Sequence, residues 1–406
     1  MSKLRELIDK YCPNGVEYKP LGDKNVSIMQ RGTSLTKKDS TEGIYPVISG
    51  GKTPAFYCDL SNRNGETITV AGSGAGAGYV QYWNEPIFVC DAFSIKGVGD
   101  VSTKYLYYCL VNMQEKIYAT KKGGGVPHVH ISSIDKFLIP IPPPLVQEEI
   151  VKILDRFADY AAELQAELQA RKEQYEYYRN LLLTFNTTCG GADGKQKMMD
   201  NAHREVKWMT LGEVGTFTRG NGLQKKDFTE SGIPCIHYGQ IYTYYGTSAN
   251  KTKSFCSQEL AAKITKVKKG NLIIACTSEN IEDVCKAVAW LGDEDIVTGG
   301  HACVYEHNLN PKYVSYYFQT EDFYTQKKKY ARGAKVIDIK ATDLAKIIIP
   351  IPSFAEQERI VSILDRFETL INDLSQGLPA EIAAVQEQYE YYRNKLLSFP
   401  KYKLNA

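Results

Sequence analysis

The stretch IPIPPPLVQEEIVKILDRF, residues 139–157, returns at 349–367 as IPIPSFAEQERIVSILDRF, with thirteen of nineteen positions identical and no gap. A proline-rich extended segment that runs into an apolar-periodic helix, present twice in 406 residues, makes internal repetition the frame for everything else. The likeness continues outward. EQYEYYRN stands at 173–180 and again, unchanged, at 387–394. Upstream, RGTSLTKKDSTEGIYPVI (31–48) matches RGNGLQKKDFTESGIPCI (219–236) at an offset of 188, and GGGVPHV (123–129) matches GAKVIDI (333–339) at an offset of 210. The chain is a tandem duplication: a variable globular segment, then a helix, then both again. NTTCGGADGKQKMMDN, rich in Gly and polar residues, separates the halves and reads as a linker.

The variable segments read as mixed. ETITVAG, PIFVCDAFSI, NLIIACT and KIIIPIP are β-branched or aromatic runs punctuated by Gly and Pro, the pattern of short strands. Residues 104–117 and 312–331 read as helices. The expected fold class is α/β (α+β), with segments at 1–138 (globular), 139–185 (long helix), 186–204 (linker), 205–348 (globular) and 349–400 (long helix). In the first helix, apolar or aromatic residues recur at 150, 154, 157, 161, 164, 168, 175, 178 and 182, with Arg171 out of pattern. Such alternation of four and three is a coiled-coil seam. The second helix repeats it at 360, 364, 367, 371, 374 and 378, then 382, 385, 389, 392 and 396. The extra step at 378–382 is a stutter that coincides with GLP (377–379), where Pro379 is expected to kink the helix. Pro140, Pro142, Pro143 and Pro144 signal the start of the first helix, and Ser353 with Glu356 a capping box for the second. Each helix has an evident partner in the other. Packed antiparallel, they would form a coiled coil related by a pseudo-two-fold axis, with the two globular domains held apart by it.

Composition sets outer bounds. A chain of this length implies two globular units, and 43% hydrophobic with 24% charged residues is the balance of a soluble globular protein. No apolar run reaches the ~18–20 residues of a membrane span, and MSKLRELIDKYCPNG lacks the h-region of a secretory leader, so a cytoplasmic location is expected. The ten cysteines form no CxxC pair and sit singly in apolar stretches (Cys90, Cys109, Cys276, Cys303), which suits reduced, buried thiols rather than disulfides or zinc. Net charge is only +2, so nucleic-acid binding would have to come from local basic clusters or from a partner's positive surface.

With these motifs in place, the chain resembles a known family, the specificity (S) subunits of type I restriction–modification systems. IPIPxPxxxQExIvxILDRF, YEYYRNxLL and the opening CPNGVEYKPLG carry the resemblance, which spans nearly the whole chain. It implies that the two globular segments are target recognition domains, each reading one half of a split double-stranded DNA sequence. It further implies that the long helices serve as a spacer and as the platform for two methyltransferase subunits, and through them restriction subunits. The repeated stretch would then be the docking element, with Gln147, Glu148, Asp155, Arg156 and Phe157 in one copy and Gln357, Glu358, Asp365, Arg366 and Phe367 in the other. The GLP insertion departs from equality of the two helices.

Basic clusters recur at matching places: Arg31, Lys37, Lys38, Lys121 and Lys122 in the first half, and Arg219, Lys225, Lys226, Lys327, Lys328, Lys329, Arg332 and Lys335 in the second. Beside Gly and polar residues they suit phosphate positioning. Polar positions that differ between halves are the candidates for base reading: Thr33, Ser34, Ser49 and Ser73, and Asn221, Gln224, His237, Tyr238, Gln240, Ser278 and Asn280. AGSGAGAGYV (71–80) invites a phosphate-loop reading, but it lacks Gly-Lys-Ser/Thr and its counterpart ACTSEN has no glycine; a loop lying against DNA backbone and a plain tight turn both remain open. In HVH, His128 and His130 share a face if extended, as metal ligands could, but Asp338 and Lys340 stand at the matching positions and DNA contact is preferred. No amino-methyltransferase, nuclease or ATP-binding motif is legible, and neither catalytic residues nor a cofactor are expected. The alternatives are a fused or degenerate DNA methyltransferase or nuclease, which would bind S-adenosylmethionine unaided, and a purely structural coiled-coil scaffold.

Overall fold

The structure, a computed structural model, describes residues 2–185, 206–373 and 376–402. The linker at 186–204 and the seam position 374 lie outside the described residues. The chain divides into two compact units, residues 1–166 with 381–406, and residues 167–380.

The first unit is built on a four-stranded sheet in the order Ser27–Arg31, Ala92–Gly97, Thr67–Ala71, Val80–Trp83. Thr67–Ala71 is buried on both faces, and its first four residues are all β-branched. Helix Thr103–Asn112 covers the sheet with Tyr105, Leu106, Cys109 and Leu110, and starts where the Ser102 hydroxyl accepts a hydrogen bond from the Tyr105 amide. A second, three-stranded sheet holds Phe56–Cys58, Tyr45–Ile48 and Phe88–Val89. The second unit repeats this plan. Gly215–Arg219, Ala302–His307, Leu272–Ala275, Ala287–Trp290 and Ser248–Ala249 form its larger sheet, and Ser254–Cys256, Ile233–Ile236, Ile296–Thr298 and Thr265–Val267 the smaller. The run 312–331, expected as one helix, is two, Pro311–Tyr317 and Glu321–Lys328. The Thr320 hydroxyl accepts from the Phe323 amide, so the second starts afresh with its own N-cap.

The repeated motif is explained residue by residue. Leu138–Ile141 pairs antiparallel with Glu17–Pro20, and Ile348–Ile351 with Lys207–Thr210. These are isolated two-stranded ribbons, where a proline without an N–H is tolerated. The carbonyls of Pro140 and Pro350 accept from the buried Tyr105 and Tyr313 hydroxyls at 3.0 and 2.8 Å. Gln147 then ties the helix start to the globular part. Its Nε2 donates to the Pro142 and Asp100 carbonyls (2.8 and 3.1 Å), and its Oε1 accepts from the Ser102 amide at 2.9 Å. Gln357 does the same with the Pro352 carbonyl (3.0 Å) and the Asn310 amide (2.9 Å). Two turns on, Asp155 accepts from the Tyr108 hydroxyl (2.5 Å) and pairs with Lys104 (2.7 Å), while Asp365 accepts from Tyr316 (2.6 Å) and pairs with Lys312 (2.5 Å). Phe157 stacks on Tyr392 with centroids 5.4 Å apart, and Phe367 on Tyr178 at 5.7 Å. Gln147 and Gln357 are 1% and 2% exposed. Of the residues expected to dock a partner, the two glutamines are thus closed off inside each unit, whereas Asp155, Phe157, Asp365 and Phe367 are half-buried and keep part of their surface in solvent. Glu148, Arg156, Glu358 and Arg366 do lie on the surface.

Helix Pro144–Thr184 runs for 41 residues, ~60 Å at 1.5 Å per residue. Its first half packs in the first unit against the segment from Glu381. Tyr160 donates to Glu381 and Phe157 meets Tyr392, so the two run antiparallel. Seam positions 150, 154, 164, 175, 360, 364, 371, 378, 385 and 396 are buried. The second helix is not kinked but divided. Phe354–Asn372 ends at Asp373, and Leu378–Leu396 begins anew with Pro379 as its second residue, where a proline costs no hydrogen bond. A Cβ on Gly377 would lie 2.6–2.8 Å from the carbonyl oxygens of Thr369, Leu370 and Asp373, so the turn closes onto the end of the preceding helix and requires glycine. At the other start, Ser353 caps the Glu356 amide, but the Glu356 carboxylate pairs with Arg359 at 2.6 Å, so only half of the expected capping box forms. All nine described cysteines are free, eight of them buried.

His307 ends the strand Ala302–His307, its Nε2 buried without a hydrogen-bond partner among the described residues. Burial holds its imidazole down at about 4 against an ordinary 6.5. The unfolded chain therefore takes up the proton first as pH falls. The stability this neutral imidazole contributes is fully present above about 6.5 and declines to about 4, by about 3 kcal/mol in total. Chemical denaturation between pH 7 and 4 should show that slope in the second unit, and His307→Gln should remove it; an unchanged slope in the variant would assign the loss to other groups.

Candidate nucleic-acid interface

In both units the strand that carries Arg-Gly ends at one rim. Arg31 and Arg219 are the last residues of their strands. Glycine must follow, because a Cβ on Gly32 or Gly220 would stand 2.0 Å from the carbonyl oxygen of Cys90 or Gly299. The chain then forms a short turn, Lys37–Asp39 or Lys225–Asp227, held by Thr36 on Asp39 and by the Gln224 amide on Asp227. Lys37, Lys38, Lys225 and Lys226 are exposed, and none has an ion-pair partner among the described residues.

Beside the first turn, Arg31, Asp91, His128 and His130 line a cleft of ≈ 210 Å3. The two imidazoles lie parallel, 6.1 Å apart, on one side of an extended segment, as alternation requires. Beside the second, Arg219, His301, Asp338 and Lys340 line a cleft of ≈ 340 Å3. The frames match and the side chains do not: Asp91 shares one cleft with two imidazoles, while His301 shares the other with Asp338 and Lys340. Asp91 and His301 were missed by the sequence reading. The offset of 210 that aligns His130 with Lys340 also aligns Asp91 with His301, and would have found them. His301 is held at φ +66, a conformation sparsely used outside glycine. Among the described residues no group of three or more His, Cys, Asp or Glu could hold a metal ion.

Several of the side chains expected to contact DNA make hydrogen bonds within their own unit. Asn221 donates to the Lys263 carbonyl (3.2 Å) and accepts from the Thr265 amide and hydroxyl (3.1 and 3.0 Å). Gln240 accepts from the His237 amide (3.0 Å) and donates to Ser254 (2.7 Å). His237 is buried, accepts from the Gly239 amide (3.1 Å), and is pushed below its usual pKa by that burial and then by Lys225. Asn280 closes its own turn onto Asp283. Ser73 donates to Asp91. Lys327 is buried, its ammonium donating to the Glu282 and Val284 carbonyls (2.8 and 2.6 Å), and burial lowers its pKa. It caps a loop from inside the unit. Lys121 lies over the Tyr118 ring at 4.1 Å, and Arg332 pairs with Asp343 at 3.3 Å, both with heads at the surface. Thr33, Ser34, Lys122, Lys328 and Lys335 are exposed, Ser49, Tyr238 and Ser278 half-buried, and Gln224 exposed at the head of its turn. The glycines of 71–80 meet a structural need: a Cβ on Gly76 would stand 2.4 Å from the Gly50 carbonyl oxygen, so the tight-turn reading has a physical cause.

The two units thus carry matching basic turns and clefts of different chemistry. The family model for the type I restriction modification DNA specificity domain matches residues 13–174 and again 203–384, and the chain belongs to that family. It is 30% identical to the specificity subunit of the type I restriction enzyme EcoR124I/EcoR124II of Escherichia coli, over 99% of this chain and 98% of that protein. It is 21% identical to the specificity subunit of the type I restriction enzyme MjaVIII of Methanocaldococcus jannaschii, over 90% and 89%. Its fold is that of the crystal structure of a type I restriction–modification S subunit from M. genitalium, with a TM-score of 0.57 at 18% identity over 94% and 96% of the two chains. Among the described residues no helix is long and apolar enough to cross a membrane.

Proposed function

We propose that this chain is the DNA-reading subunit of a type I restriction–modification complex, each unit reading one half of a bipartite duplex target through its cleft and basic rim. The observation that carries this is the pairing of a constant frame (Arg-Gly, the Lys-Lys-Asp turn, the cleft) with variable cleft chemistry. A frame that recurs fits phosphates, which are the same everywhere, and a lining that differs fits two different base sequences. Arg31, Lys37, Lys38, Lys121 and Lys122, and Arg219, Lys225, Lys226, Lys328, Arg332 and Lys335, would hold the backbone. Thr33, Ser34, His128 and His130, and Tyr238 and His301, are the side chains with free edges for bases.

Catalysis would belong to two methyltransferase subunits, with restriction subunits joining through them, in the cytoplasm. The surface that fits such partners carries Glu148, Arg156 and the 58% exposed Tyr391 in the first unit. In the second it carries Glu358, Arg366 and the 63% exposed Tyr177. EQYEYYRN is identical in both copies although these tyrosines and their flanking glutamates face solvent, which a shared partner would account for.

Exchanging residues 20–138 for the matching segment of another family member should change one half of the modified sequence and leave the other. Methylation mapping that shows both halves altered would overturn the assignment of one half-site to each unit.

A further inference from the structure

Each unit carries a short hairpin beside its cleft, and this inference rests on the DNA reading above. In the first unit the Lys122 amide donates to the His128 carbonyl and the His128 amide to the Lys122 carbonyl, at 3.0 and 2.7 Å. In the second unit Arg332 and Asp338 make the same exchange at 3.1 and 2.8 Å. His128 and Asp338, which close these hairpins, line the clefts. Five residues lie between each pair, and the two loops, GGGVP and GAKVI, share only a glycine and a valine. The glycines are equivalent: Gly123 has φ +109 and Gly333 φ +108, and a Cβ on either would stand 2.5 or 2.0 Å from the carbonyl oxygen of Val126 or Val336. The turn thus closes on the valine backbone and leaves the side chain in solvent, Val126 54% and Val336 58% exposed. A lone exposed valine needs no explanation. The same one, fixed by the same glycine beside the same cleft in two otherwise divergent loops, does.

We infer that Val126 and Val336 each read a thymine through its C5-methyl group in the major groove. A two-stranded ribbon fits that groove, and the thymine methyl is the one apolar group that base edges present there. A β-branched side chain, stiff at χ1, offers two methyls at a fixed place. It is shorter than the Leu, Phe or Met wedges that unstack bases in the minor groove. Lys122 in one hairpin and Arg332 and Lys335 in the other flank the valines, where phosphates would be met.

The test uses the full chain at low salt, where few phosphate contacts suffice. Duplexes are selected from a random pool, and each thymine of a selected duplex is then replaced in turn by deoxyuridine, which lacks only the methyl. One such position in each half-site should weaken binding about fourfold, the worth of one buried methyl. Val126→Ala should weaken binding to the thymine duplex by a similar factor, lose sensitivity to uridine in one half-site, and leave the other half-site unchanged; Val336→Ala should do the converse. Equal binding of all uridine duplexes, or variants that remain as sensitive to uridine as the parent, would overturn the inference while leaving the DNA reading intact. So would 2-aminopurine fluorescence that rises on binding and is lost in the variants, since that reports a wedge. A chain that selects no duplex either alone or with methyltransferase subunits added would overturn the DNA reading itself, and this one with it.

Discussion

Gln357→Ala should lower the thermal midpoint of the protein's second unit by about 6–12 °C. The side chain is buried and bridges two backbone groups, the Asn310 amide and the Pro352 carbonyl. Truncation leaves both inside the protein without partners, at about 1–3 kcal/mol each before relaxation, so about 3 kcal/mol in total. In a unit of this size each kcal/mol moves the midpoint by roughly 2–4 °C. Asn310 is also the N-cap of helix Pro311–Tyr317, so the loss spreads to the helix that covers the sheet. Gln147→Ala should behave alike in the first unit, where Ser102 is the corresponding cap. Glu358→Ala, one residue away and exposed, is the control and should shift the midpoint by about 1 °C or less. Amide exchange at Ser102 and Asn310 locates the effect. A glutamine variant as stable as its glutamate control would show that the glutamine bridges do not hold the helices to the globular parts.

These two glutamines mark how far the sequence could be read. The seam was legible because a four-three spacing of apolar residues is a property of the helix itself, whatever it packs against, and Ile150, Leu154, Ile360 and Leu364 are all fully buried. The disturbance at 377–379 was legible too, but not its form. A proline in the second position of a new helix and a proline that kinks an old one leave the same trace in sequence. The repeated QE and LDRF were read as a partner's docking site because repetition signals a shared constraint. It does not say whether that constraint lies outside the molecule or within it: Gln147 is buried on Ser102, while Asp155 and Phe157 meet Tyr108 and Tyr392 and still keep exposed surface.

Exposure at the candidate interface was legible for cations and poorly so for polar side chains. A lysine costs too much to bury unpaired, so runs such as Lys37-Lys38 belong at the surface almost by default. Lys327 is the exception, and helical spacing would have flagged it: it falls four residues after Phe323, on the face that helix Glu321–Lys328 buries. Asn, Gln and His carry no such bias. Asn221, Gln240 and His237 are as well suited to a loop's own backbone as to a base, and only the surrounding amides decide which. Asp91 and His301 were passed over because a lone polar residue between short strands reads as a turn.

Replacing Lys37, Lys38, Lys225 and Lys226 together by glutamine should weaken DNA binding on the order of 100-fold at about 0.15 M salt, with no change in the preferred sequence. All four lie exposed on the matching turns and have no acidic partner among the described residues, so no ion pair of the fold depends on their charge. If each neutralises one phosphate, their loss should reduce the slope of log affinity against log salt by about 3–4, since each contact contributes about 0.9. The slope is the decisive quantity. A general loss of folded protein lowers affinity at every salt concentration and leaves the slope alone, whereas lost phosphate contacts flatten it. Circular dichroism melts should coincide with the parent's, because surface charges of this kind move stability by about 0.5 kcal/mol or less each. The paired substitutions divide the effect: Lys37 and Lys38 alone, or Lys225 and Lys226 alone, should each account for about half of the slope change. Should one pair carry all of it and the other none, the matching turns would not play matching parts, and the duplicated surface would have to be read as one DNA-contacting rim and one that serves something else.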